Sequence, residues 1–108
     1  MELNSLQDVR VITIKYVACV VSDGNGDEKL VVRAPGFAEY HTEIVEMLQR
    51  EAKNLSVRCI GGGRITLDLK AKTVEIYGSS NEFGREPDRS QTVAVLKTAF
   101  PDFEVTAL

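Results

Sequence analysis

Two segments of this chain carry apolar residues at helical spacing, and nearly every other patterned segment alternates at the spacing of a β-strand. That interleaving admits few folds. The first helical segment, residues 37–53, has Tyr40, Ile44, Met47 and Leu48 along one stripe and Glu43, Glu46, Gln49 and Arg50 elsewhere. The second, residues 90–100, has Ser90 or Asp88 as N-cap, Val93, Leu96 and Phe100 on one face, and Pro101 as terminator. Residues 11–21 are β-branched and apolar, and the turn residues Ser22-Asp23-Gly24-Asn25-Gly26-Asp27 lead into Leu30-Val31-Val32, the pattern of a hairpin. Strands resume at 57–60, at 64–69, at 73–77 and at 103–106. The pattern predicts an α+β fold in a single domain over residues 1–108: a mixed sheet of roughly six strands with two helices packed on it.

At 108 residues and 44% apolar composition, the chain suits one domain with its own core. A formal charge of −3 lacks the basic footprint of a nucleic-acid binder. The apolar run at 16–21 is too short to span a bilayer, and the first ten residues read as no signal peptide, so a cytoplasmic location is expected. Cys19 and Cys59 lie among strand formers without a CxxC pairing, which predicts two buried thiols in a reducing compartment rather than a zinc site or a disulfide. Asp23, Asn25 and Asp27 alternate like the start of a calcium loop. The sixth position is Glu28 rather than Gly and the twelfth is Ala34 rather than Glu, so that reading fails.

The single histidine, His41, stands shortly after the break Pro35-Gly36, with Ile44, Val45, Leu48 and Ala52 at i+3, i+4, i+7 and i+11. Histidine exchanges a proton or a phosphoryl group near neutral pH more readily than any other side chain. A core histidine bonded to a carbonyl would occupy the same position, so the residue alone decides nothing. Gly61-Gly62-Gly63-Arg64 is the other unusual segment: three glycines weaken a strand and call for a reason, either a bulge or a close approach of backbone to a ligand. Glycine amides turned toward an anion, with the planar fork of Arg64 beside them, would grip phosphate oxygens. The loop Tyr77-Gly78-Ser79-Ser80-Asn81-Glu82-Phe83-Gly84 offers small polar donors, and Lys15 interrupts an apolar strand face shared with Val17, Cys19 and Val21.

Lys15-Tyr16-Val17, Ala38-Glu39-Tyr40-His41, Cys59-Ile60-Gly61-Gly62-Gly63-Arg64-Ile65, Tyr77-Gly78 with Ser80 and Phe83-Gly84, and Pro101-Asp102-Phe103-Glu104-Val105-Thr106 stand in the order and approximate spacing of one family. Over residues 15–106 the chain resembles the phosphohistidine phosphatases of the Janus/ocnus family. The resemblance implies a mixed sheet between two helices and a metal-independent protein-phosphohistidine phosphatase without cofactors. His41 would be catalytic, Arg64 and Lys15 would hold the phosphoryl group, and Ser80 with backbone around Thr42 would complete the anion cradle. Gly62, Gly63, Asn81 and Glu82 join the expected binding set. Asn81-Glu82 departs from the small or apolar residues usual after the loop serine, and it places a carboxylate beside an anion site.

Phosphoryl transfer runs through a loose transition state that rests on positioning and on preorganised positive donors. An imidazole leaving group departs easily once protonated, so the chemistry calls for no metal. His41 has two open roles, nucleophile or general base on water. The expected partners are phosphohistidine-containing proteins or peptides, with no nucleic acid and no membrane, and the chain is expected to be monomeric. The alternative is a non-catalytic phosphoprotein-binding or regulatory module of the Janus/ocnus type, supported mainly by Glu82.

Overall fold

The computed structural model describes residues 1–11, 14–36 and 38–108. A short 3-10 turn, Leu3–Ser5, precedes strand β1 (Val9–Val11). Strands β2 (Lys15–Ser22) and β3 (Glu28–Ala34) form the expected hairpin, and helix α1 (His41–Ala52) follows. Then come β4 (Ser56–Asp68), β5 (Thr73–Tyr77), helix α2 (Arg89–Ala99) and β6 (Glu104–Ala107). The six strands make one mixed sheet in the order β1-β3-β2-β4-β5-β6, parallel at its two outer pairs and antiparallel within. Among the described residues no helix is long and apolar enough to cross a membrane.

Alternation along the central strand separates two cores. Val17, Cys19 and Val21 point to the face covered by Ile44, Val45, Leu48 and Ala52 of α1. Tyr16 and Ala18 point to the other, where Ile65, Val74, Ile76 and Leu96 of α2 meet them. The sheet therefore lies between the two helices, each burying its own stripe. Leu6, in a segment that reads as polar, is buried in the α1 core. Cys19 is buried and Cys59 half-buried; both are free thiols, directly opposite each other on β2 and β4.

Several boundaries differ from the pattern: the strand expected over 11–21 is β2 from Lys15 onward, and Val11 instead ends β1. Helix α1 begins at His41 rather than near residue 37, because Tyr40 is extended and its N–H is taken by the Glu43 carboxylate at 3.0 Å. Phe37 itself lies outside the described residues, as do Ile12 and Thr13. Tyr40, read as part of the apolar stripe, is consequently exposed. Residues 57–60 and 64–69 are not separate strands but one strand, β4, that runs straight through the glycines. Its pairing with β2 slips between Ala18 and Cys19: Gly61 faces Ala18 and Cys59 faces Cys19, leaving Ile60 as the extra residue of a bulge. Helix α2 starts one residue earlier than expected, with the Asp88 carboxylate as cap, accepting from the Ser90 N–H and hydroxyl.

The glycines are needed because backbone from neighbouring segments takes the space of a side chain. A Cβ on Gly61 would lie 2.3 Å from the Glu86 amide nitrogen, on Gly62 2.5 Å from the Tyr16 carbonyl oxygen, and on Gly63 2.4 Å from the Tyr77 carbonyl oxygen.

Candidate active site

His41 is the first residue of α1, so its ring drops from the helix start onto the glycine segment of β4. It is only 6% exposed. Nε2 lies 3.0 Å from the Gly63 carbonyl oxygen. A carbonyl only accepts, so Nε2 carries the proton of the neutral ring and donates it, which leaves the lone pair on Nδ1. Nδ1 stands 3.7 Å from Glu82 Oε1. Gly62 admits the ring: a Cβ there would lie 3.2 Å from His41 Cδ2.

Lys15 and Arg64 are directly opposite each other on β2 and β4. Like charges opposite in an antiparallel pair repel, so the sheet bears a local cost at this point. The Lys15 ammonium donates to the Glu39 carbonyl and lies 6.0 Å from the Tyr40 ring centroid. The exposed Arg64 guanidinium makes no hydrogen bond or ion pair with another described side chain. Its five donors are open to solvent or to an anion.

These groups converge. An open depression of about 240 Å³ is lined by Lys15, Tyr40, His41, Arg64, Ser79, Asn81 and Glu82. Of the residues expected from sequence, His41, Lys15, Arg64, Asn81 and Glu82 are brought together there. The others are placed differently. Ser80 is buried, and its hydroxyl accepts from the amides of Glu82 at 3.2 Å and Phe83 at 3.1 Å, so it builds the turn that presents its neighbours. Thr42 is exposed on α1 outside the lining. Gly62 donates its N–H to Gly84 O at 3.0 Å, tying the loop to β4, and the Gly63 carbonyl holds the histidine. Both glycines act behind the depression rather than on its surface.

Behind them lies a buried polar network that the sequence reading left unassigned. Glu86 is enclosed on all sides and accepts from the Tyr16 hydroxyl at 2.9 Å, the Thr92 hydroxyl at 2.9 Å and Arg89 Nε at 3.3 Å. Arg89 Nη2 donates in turn to Gly62 O at 3.0 Å and Gly78 O at 2.6 Å, clamping β4 and the start of the loop together. Burial foremost, then the charge of Glu86, pushes the Tyr16 phenol well above its ordinary range. The spacing of Glu86, Arg89 and Thr92, three residues apart across a helix start, was the available sequence signal for this network. Tyr40 and Ser79 are further lining residues that the sequence reading did not select.

Comparison with known proteins is consistent over most of the chain. The Janus/Ocnus family profile matches residues 3–104. Sex-regulated protein janus-A of Drosophila melanogaster is 39% identical over 95 residues, covering 84% of this chain and 68% of that protein. Its counterpart in Drosophila pseudoobscura pseudoobscura is 33% identical over 98 residues, covering 89% and 65%. The 14 kDa phosphohistidine phosphatase of Sus scrofa is 35% identical over 83 residues, covering 75% of this chain and 65% of that one. By the extent of the profile match and the identity of these relatives, the chain belongs to the Janus/Ocnus family.

Proposed function

We propose that this protein is a metal-independent protein-phosphohistidine phosphatase that cleaves the P–N bond of phosphohistidine. One observation carries the reading: the unprotonated nitrogen of a buried, oriented imidazole lies in a small depression that also holds a lysine and a guanidinium with no hydrogen-bond or ion-pair partner among the described side chains. Arg64 and Lys15 would bind the phosphoryl oxygens, Arg64 through two parallel bonds. His41 Nδ1 would supply the lone pair, and Ser79 and Asn81 further donors. An orienting bond to Gly63 O fixes which nitrogen reacts, which is the preorganisation that phosphoryl transfer requires. The partners under this reading are phosphohistidine-containing proteins or peptides rather than nucleic acid or membrane, and the enzyme acts as a cytoplasmic monomer. The relative from Sus scrofa, named for this activity, supports it.

Release of inorganic phosphate from a phosphohistidine peptide tests the proposal. His41→Ala should slow it by about 100- to 10,000-fold, the range for loss of a positioned proton-transfer group. Turnover at the parent rate in that variant would end the proposal. A second reading, a module that binds phosphoprotein without useful turnover, is favoured by the Glu82 carboxylate inside the same depression. Tight binding of a non-hydrolysable phosphohistidine analogue by a chain that releases no phosphate would establish it.

A further inference from the structure

Glu82 is the one acidic side chain lining the depression, and its position is specific. Lys15 and Arg64 line the same space, yet among the described residues the carboxylate is within ion-pair distance of His41 alone. Its side chain is 31% exposed, so it is partly shielded from solvent. The turn holds it there: the Glu82 amide is bound by the Ser80 hydroxyl, and the loop is pinned to β4 through Gly84.

A carboxylate in that place bears differently on the two roles open to His41. A phosphoryl group bonded to Nδ1 would bring its oxygens close to Glu82 Oε1, which stands 3.7 Å from the nitrogen. Negative charge would then face negative charge in a partly desolvated site. A proton on Nδ1 has the opposite effect. It converts the ring to an imidazolium with Nε2–H on Gly63 O and a carboxylate 3.7 Å from Nδ1, so the positive charge meets a negative one.

We infer that Glu82 commits His41 to the role of general base, as a positioning residue that holds the imidazolium and excludes a phosphoryl group from Nδ1. This inference rests on the phosphatase reading and selects one of its two mechanisms. The phosphoryl group sits toward Arg64 and Lys15, with a water between it and Nδ1. The water oxygen forms the new P–O bond while its proton passes to Nδ1. The P–N bond of the substrate breaks, and its electron pair stays with the departing imidazole. That imidazole takes up the proton which His41 gives back through solvent, and inorganic phosphate leaves.

Rapid acid-free quenching with a phosphohistidine peptide, followed by mass spectrometry for acid-labile phosphate on His41, tests the inference alongside steady-state kinetics. The parent protein should release phosphate without a phosphoenzyme. Glu82→Ala should lower kcat by about tenfold or more, since the imidazolium loses a charged partner. Its KM should fall, since a repelling charge has left the anion site, and His41 should become detectably phosphorylated. A uniform structural defect would instead lower kcat and raise KM together. Glu82→Gln, which keeps the size and removes the charge, should lower kcat to a similar degree. A phosphoenzyme formed at a competent rate in the parent overturns the inference and leaves the phosphatase reading intact. So does a Glu82→Ala variant with unchanged kcat or without phosphate on His41. A parent that releases no phosphate overturns the phosphatase reading, and the inference with it.

Discussion

Tyr16 is the residue on which the polar interior turns, because it is fully buried on β2 and its hydroxyl donates to the buried carboxylate of Glu86. Its phenol is held protonated by burial first and by Glu86 second. A raised pKa means that the folded state keeps a proton which an unfolded tyrosine begins to lose near pH 10. The contribution is therefore complete below that pH and is lost as pH rises beyond it. Tyr16→Phe should lose about 1–3 kcal/mol at pH 7, the cost of leaving Glu86 short of a donor. Urea unfolding at pH 7 and at pH 10.5 should find the difference between parent and variant narrowing at the higher pH; an unchanged difference would exclude this origin. At this scale unusual chemistry for its place, as with Lys15 on an apolar face or the solitary His41, pointed to residues that line the depression. The sequence was a poor guide to Ser80, whose hydroxyl faces inward to the turn's own amides, because motif spacing says nothing about which way a hydroxyl points.

Among the elements, β4 joins the fold to the candidate chemistry. Its length was not legible because three consecutive glycines carry no side-chain period, and a strand interior normally excludes them. What keeps them extended is long-range: the carbonyls of Tyr16 and Tyr77 and the amide of Glu86 lie where side chains would be. No local pattern reports a neighbour that distant in the chain. The start of α1 was blurred for a related reason, since Tyr40 continues the apolar period although the Glu43 carboxylate fixes the helix boundary behind it. Gly62→Ala puts a methyl group 2.5 Å from the Tyr16 carbonyl oxygen and 3.2 Å from the histidine ring. It should destabilise by about 1–3 kcal/mol through overpacking. It should also displace the imidazole, so thermal melting would register a moderate loss while phosphate release falls far more steeply. Equal losses in the two would mean that the ring tolerates the shift.

For the whole molecule, the α+β class and the two helices on a mixed sheet followed from apolar periodicity, whereas the placement of the sheet between the helices was what the family resemblance implied; alternate residues of β2 face the two cores. The network joining Glu86, Arg89, Tyr16 and Thr92 did not follow from that periodicity, which treats every polar residue as surface. Glu86→Ala should cost about 3–5 kcal/mol, because it strands a buried guanidinium whose Nη1 already has no hydrogen-bond partner among the described residues. Equilibrium unfolding in urea would measure it, and a loss below 1 kcal/mol would mean that water enters to replace the carboxylate. The loop between Gly78 and Gly84 is gripped at one end by Arg89 and at the other by the Gly62 amide. Histidine, arginine and lysine, by contrast, are mounted on a helix and two strands of the frame. Under the phosphatase reading Asn81 can thus be swapped like the bit of a tool while its shaft stays in place, so that new preferences among substrates arise in this scaffold without recasting the machinery that would act on them.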